Sequence, residues 1–595
     1  MKRILVLLLS IIFLVPVIAT GCGDKADFVA CIGSNPESID PALNTTVDGA
    51  TYIIHAFSGL ITWSQKADGG LELVPDCAES IPTPTIDEQT GKATYVFKLK
   101  EGLKWSDGKA LKASDFEYAW KRAASEELGA DYGYMFEVID GYYAVDEEGN
   151  VITDDEGHPV LGEEINVTAN DTERTLTVVL TQDVNYFIEL CAFPTYMPVR
   201  KDIIDKYGEE WATKPKTYIG NGPYKIVKWR DNSKIVFEKN PNYHNADKVK
   251  FNRIEFALSD NDSAILSNYK NGTFDFIDSV PNAEIESLKA TYPNEFFIEG
   301  QLGTYYINFN INASIFNGMT YEDSVKFRTA ISLLLDRNYI CENIGQAGQQ
   351  PANSFVPTGM TDADPTQEFV DKNGPERDGS GYYSVAKEDQ EANEAKAVLL
   401  LKELGYEFNE TTKKFSGIPE IEYMFNTNSG HQAIGEYIQH ALGQYGITVK
   451  LESKEWNTFV NDRKEGLYTL ARNGWLADYN DPISFLDMWT SKSGNNDVRF
   501  GNGAHANVAV YSYDGQSGLT WAQSYDKLIQ DIKAEKDVER RYELMHQAED
   551  MLMSTGCIIP LYYYVDIFMV KPNIKGFFTS PLGYKFFMYA EKEAA

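Results

Sequence analysis

EWNTFVNDRKEGLYTLARNGWLADYNDPISFLDMW runs from Glu455 to Trp489, and its reading decides how the chain is organised. Trp456, Arg463, Arg472, Trp475, Asp478 and Tyr479 are interleaved within an otherwise apolar, turn-like segment. Leu467 to Leu470 reads as a strand, which puts Arg472 to Asp478 at a strand end, where the ligand clefts of α/β folds open. Two readings stand side by side. Either the arginines and Asp478 pair with one another structurally, or they face a ligand.

Outward from this stretch, strand and helix patterns alternate. Strands are expected at Phe28 to Ile32, Thr94 to Leu99, Leu176 to Leu180, Ile254 to Leu258 and Tyr305 to Asn310. The last of them is the run from Ile558 to Val570, and GNGPYKIVKW, from Gly220 to Trp229, reads as a turn leading into another. Helical spacing marks Ala50 to Ile61, Ala264 to Asn271, Phe327 to Ile340, Ala392 to Leu404, His431 to Gly446 and an interrupted Trp521 to Met553. Ser114 is the expected N-cap of the helix Ala113 to Arg122, with Glu117 completing a capping box. The acidic stretch 146–164 reads as a surface hairpin or loop insertion, and 357–390 as loop. This is an α/β chain without internal repeats.

At 595 residues the chain is too long for one core and calls for two or three lobes. A formal net charge of −34 repels phosphate backbones, so nucleic acid is not an expected partner. The five cysteines beyond Cys22 are scattered, with no C-x-x-C, so buried free thiols are expected, although one pair is free to oxidise. No metal or cofactor site is expected. H-E-x-x-H, Walker A and G-x-S-x-G are all missing, and Gly501, Gly503 and Ala506 only imitate a dinucleotide fingerprint. No catalytic apparatus is visible, so an enzyme is not expected.

Lys2 and Arg3 precede an apolar or small-residue run from Ile4 to Thr20 that ends at Gly21-Cys22. A basic start followed by a short apolar segment is a signal peptide, residues 1–21. The small residues before Cys22 resemble the lipobox of bacterial lipoproteins, with Ala19 where Leu is commoner. That resemblance implies acylation at Cys22, and two or more acyl chains anchor a protein stably.

Taken together, six stretches resemble the peptide-binding members of the extracytoplasmic solute-binding proteins of ABC importers, the oligopeptide-binding lipoproteins most of all. They are SIDPALNTTVDGATYIIHAFSGLI (38–61), TYVFKLKEGLKWSDGKALKASDFEYAW (94–120), GNGPYKIVKW with KNPNYHNADKV, FRTAISLLLDRNYI (327–340), the Glu455 stretch, and IIPLYYYVDIFMVKP (558–572). The resemblance implies a two-lobed periplasmic-binding-protein fold, hinged, with the ligand between the lobes and an additional inserted domain. It places lobe I at 22–57, 196–302 and 566–595, the inserted domain at 58–195 and lobe II at 303–565.

Roles carry over with it. Asp478 resembles the aspartate that holds a peptide's α-ammonium, and Gly474 and Val47 match positions whose main chains pair with the peptide backbone. Arg472, Arg463 and His431 correspond to partners of the C-terminal carboxylate at different peptide lengths. Trp475, Trp456 and Tyr564 resemble cleft-lining residues, and Thr45 stands where an oligopeptide binder has Glu. The implied protein is a monomer, lipid-anchored on the extracytoplasmic face of the bacterial cell membrane. It captures short peptides for the permease subunits of an ABC importer. A non-peptide ligand and a peptide-sensing receptor are the alternatives.

Overall fold

The computed structural model describes residues 25–147, 149–154, 159–503 and 518–593. The expected signal segment 1–21, Cys22 and Ala506 lie outside them.

Among the described residues, one mixed sheet of eleven strands organises the molecule. Its strands in chain order are β1 (Phe28–Gly33), β2 (Tyr224–Arg230), β3 (Lys234–Lys239), β4 (Arg253–Leu258) and β5 (Phe276–Ile277). They continue with β6 (Phe296–Phe309), β7 (Ile421–Asn426), β8 (Val449–Lys454), β9 (Leu470–Leu476) and β10 (Ile558–Val570). The spatial order is β8-β7-β9-β6-β10-β5-β1-β4-β3-β2, and the two-residue strand Gln350–Pro351 pairs with β10.

Two of these strands do most to place the site. The long strands β6 and β10 pair antiparallel from Phe296↔Met569 to Asn308↔Ile558, and they join the two halves of the sheet. Their register shifts between Gly300 and Thr304, and again between Tyr305 and Tyr306. Shifts of this kind bend a strand and leave backbone groups out of the ladder. On one side β10 meets β5 through Phe276↔Val570, and on the other β6 meets β9 through Gly303↔Leu476 to Phe309↔Leu470. Beyond Gly303 β6 is buried on both faces, as a central strand covered on both sides is.

A second, four-stranded antiparallel sheet is built from Thr85–Ile86, Ala93–Lys98, Thr175–Leu180 and Val167–Asn170. The helix Ala113–Ala124 lies against it and buries Phe116, Ala119, Trp120 and Ala123 at helical spacing. The Trp120 indole N–H donates to the Tyr196 carbonyl at 2.8 Å, so the apolar ring is buried with its polar atom satisfied.

Several local expectations shift. The first helix is Val47–Ala56, not Ala50 to Ile61: Thr46 caps it by accepting from the Gly49 N–H, and Ile61 begins a strand. Ser114 is not an N-cap. Lys112 holds that position, and the Asp115 carboxylate accepts from its backbone N–H, while Ser114 reaches across to Asp171. The expected Phe327 to Ile340 helix starts earlier and breaks, as Tyr321–Leu333 followed by Arg337–Tyr339. The Asp336 side chain caps the second piece, and a capping aspartate is a natural interruption. The strand expected at Leu467 to Leu470 is displaced to Leu470–Leu476. Arg472 and Gly474 therefore lie within the strand, and Asp478 two residues past its end. All five cysteines among the described residues are buried and free.

Candidate functional site

A cavity of about 310 Å³ opens where β9, the first helix, the long strands and the end of the chain converge. Along β9, Arg472, Gly474 and Leu476 are partly exposed while Asn473 and Trp475 are buried, the period-2 alternation of a strand with one face on a cleft. Gly474 must lack a side chain, because a Cβ there would collide with the Tyr564 hydroxyl. Gly474 thus presents bare main chain to the cavity wall, with its N–H donating to Asn473 Oδ1 at 2.9 Å. Val47, the first residue of its helix, faces the same space, as do Trp456 and Tyr564.

Asp478 is the most constrained of these residues. Its side chain is buried, and one carboxylate oxygen accepts from the Tyr132 hydroxyl at 3.0 Å. The other oxygen has no hydrogen-bond partner. Its backbone N–H donates to Ser484 Oγ at 2.9 Å, which fixes the turn. Burial holds the carboxyl well above the usual carboxylate range. A buried carboxylate with a free oxygen is costly unless a cation completes it.

Arg472 is the opposite case in sign. No carboxylate lies within ion-pair distance of it among the described residues. Its guanidinium donates to Tyr564 Oη at 3.4 Å, stands 5.3 Å from the Tyr305 ring centre, and leaves its Nε unpartnered. Arg463 differs, since its Nε is 2.8 Å from Asp497 Oδ2, an ion-pair contact without hydrogen-bond alignment. Asn473 also donates to Asp497, at 2.9 Å.

His431 is not part of the cavity wall. It sits behind Tyr305, with Nδ1 3.1 Å from the Tyr305 hydroxyl. Burial first, and then the Arg472 charge, push its imidazole well below the ordinary value, so it is neutral at pH 7. Trp475 is buried in the cavity lining, its indole N–H donating to the Ser484 carbonyl at 2.8 Å.

Tyr132 and Lys464 were not singled out by sequence reading, and both join distant parts of the chain. Lys464 Nζ lies 2.7 Å from Asp131 and 3.2 Å from Glu37, and it donates to Thr45 Oγ1 at 3.1 Å. Nearby, Tyr186 stacks on Tyr479 at 4.6 Å, and the Asn480 N–H donates to Glu189 at 2.9 Å. The residues before 196 thus close on the segment that carries Asp478. Lys464 carried one legible hint, its place beside Arg463 in the quoted stretch. Tyr132, separated from Asp478 by 346 residues, carried none.

Among the described residues, no group of three or more His, Cys, Asp or Glu is placed to hold a metal ion. No described helix is long and apolar enough to cross a membrane.

Comparison with known proteins follows the same lines. The model of the bacterial extracellular solute-binding proteins, family 5 Middle, matches residues 72–497. The oligopeptide-binding protein OppA of Bacillus subtilis (strain 168) is 30% identical over 569 residues, covering 94% of this chain and 91% of its own. The crystal structure of Haemophilus influenzae OppA in complex with RPPGFSPFR superposes with a TM-score of 0.74 at 27% identity, over 93% of this chain and 96% of that one. The unliganded open form of the murein tripeptide binding protein MppA gives 0.54 at 26% identity, over 94% and 95%. These likenesses bear out the two-lobed α/β reading.

Proposed function

The chain belongs to family 5 of the bacterial extracellular solute-binding proteins, and from that premise we propose that it is a receptor for short peptides with free termini, serving an ABC importer. One observation carries the reading. A buried carboxylate with an unpartnered oxygen, Asp478, and a guanidinium without a carboxylate, Arg472, line one cavity. A zwitterion completes both at once. The α-ammonium of the peptide pairs with Asp478, and its terminal carboxylate pairs with Arg472. Between them the main chain at Gly474 and Val47, which line the same cavity, pairs with the peptide main chain, the Gly474 N–H exchanging its bond to Asn473 Oδ1 for one to the peptide. Such pairing ignores side-chain identity and lets one site accept many sequences. Arg463, already held by Asp497, serves the carboxylate second, and neutral His431 acts through Tyr305.

Residues 22–57, 196–302 and 566–595 form lobe I in this reading, 58–195 the inserted domain and 303–565 lobe II. The hinge falls where the pairing of β6 with β10 breaks, between Gly300 and Thr304. Ligand held between the lobes shifts the population toward the closed form. Cys22 carries the lipid that holds the monomer at the extracytoplasmic membrane face, beside the permease. The chain carries the ligand unchanged and catalyses nothing. Mass spectrometry of small molecules released on denaturing the gently purified protein tests the ligand class. Free-ended peptides of a few residues are expected. Release of a non-peptide solute alone would overturn the reading.

A further inference from the structure

A second cavity, of about 750 Å³, shares only Leu582 with the lining of the first. Gln301 lines the first cavity whereas Gly300 and Leu302 line the second, so the two lie on opposite sides of the segment where β6 departs from β10. Its walls are mixed, an apolar and aromatic part facing a polar one that includes Gln65, Glu189, Glu299 and Asn480. Trp63 and Leu71 come from the hairpin Ile61–Gln65 with Leu71–Pro75, Leu302 from the long strand, and Phe577 and Phe578 from the end of the chain. Phe578 is braced by stacking on Phe586 at 4.4 Å.

The charge of this second cavity is one-sided. Glu189 and Glu299 line it, and its lining includes no Lys, Arg or His. Glu189 accepts from the Asn480 N–H at 2.9 Å and Glu299 from the Thr579 hydroxyl, and among the described residues neither carboxylate has a cation within ion-pair distance. Aromatic walls with uncompensated carboxylates attract a cation on an apolar body, because ring faces and carboxylates both favour positive charge. An anion or a neutral apolar molecule would leave those carboxylates uncompensated.

We propose that this groove is a second ligand site, separate from the Asp478 cavity, for a small organic cation such as a quaternary or primary ammonium on an aromatic or aliphatic body. Its volume is within the range of small-molecule sites. Its walls come from the Trp63 hairpin, the long strand, the C-terminal segment and Asn480 together.

Isothermal titration of the full chain with benzyltrimethylammonium, and with phenylacetate as the anionic counterpart, tests the proposal. The cation is expected to bind at least about tenfold more tightly, the discrimination that one compensated carboxylate with a ring contact supplies. Glu299→Gln and Trp63→Ala are each expected to weaken the cation several-fold. Asp478→Ala, which empties the first cavity of its carboxylate, is expected to leave the cation's affinity in place. The proposal is overturned if the two probes bind alike, or if neither binds. It is also overturned if Asp478→Ala abolishes cation binding while Glu299→Gln does not, for then the cation occupies the first cavity.

Discussion

Two corners of the same cavity are built on opposite principles. Around Lys464 each charge has a partner: Glu37, Asp131 and Thr45 converge on one ammonium, and next to it Arg463 meets Asp497. Between Arg472 and Asp478, six residues further along the chain, opposite charges line the cavity and remain incomplete. Folding alone accounts for the first corner, since it joins segments that pack together and loses little when the cavity is empty. In the proposed reading a ligand completes the second. Buried polar groups are normally satisfied, so an unsatisfied pair of opposite charges on one cavity wall calls for an explanation, and the proposed ligand supplies one.

The contrast is open to attack at each residue. Asp478→Ala is expected to cost about 3–5 kcal/mol in peptide affinity, a hundredfold or more, because the ammonium is left enclosed and unpaired. Calorimetry on wild type and variant gives the number, and a loss below tenfold would move the anchor elsewhere. The two arginines separate next. Arg472→Met is expected to lose about 2–4 kcal/mol with carboxylate-ended peptides and little with amidated ones. Arg463→Met chiefly lowers the denaturation midpoint, because it strands Asp497. Equal binding losses in the two variants would erase the distinction.

A smaller effect is expected at the satisfied corner. Lys464→Met leaves Glu37 and Asp131 facing each other, and it should weaken closure on every peptide alike by about 1–2 kcal/mol, between exposed and buried pairs. The loss should shrink in high salt. A loss that depends on the peptide's terminal groups would instead make Lys464 a ligand contact.

The smallest effect concerns stability without ligand. Burial raises the Asp478 carboxyl above its unfolded value, so the folded empty protein binds more protons than the unfolded chain, and stability falls as pH rises above the ordinary carboxylate range. Asp478→Asn removes that slope and keeps an oxygen to accept from Tyr132. The variant should be more stable than wild type by about 1 kcal/mol or more at pH 7, with the gap closing toward pH 4. Denaturant midpoints at several pH values measure it, and a wild type that gains stability relative to the variant as pH rises would show that the carboxylate is already compensated.

How much of this was legible in the sequence follows from where the information resides. Arg463, Arg472, Gly474, Trp475 and Asp478 fall within sixteen residues, so a local pattern of strand, aromatic and charge brings them together before any fold is known. Asp278 and Lys585, an ion pair of a half-buried carboxylate with a buried ammonium, or Tyr132 and Asp478, meet only because distant segments are folded against each other. Local pattern also misplaced boundaries. The expected strand starts three residues early because the pattern follows Leu467 to Leu470, whereas the ladder with β6 runs on through the polar Arg472 and Asn473. Asp336 broke a helix that its apolar neighbours would have continued, because its side chain serves the next turn. His431 was picked out as a carboxylate partner, yet a histidine behind a tyrosine cannot be told from one on the cavity wall without the third dimension.

Wild type and Asp478→Ala titrated with one tetrapeptide, free and N-acetylated, give the most direct test of the claim that the unpartnered carboxylate is a ligand anchor. Wild type should bind the acetylated peptide at least about a hundredfold more weakly, and the variant should scarcely distinguish the two. Equal affinity of wild type for both peptides would contradict the account.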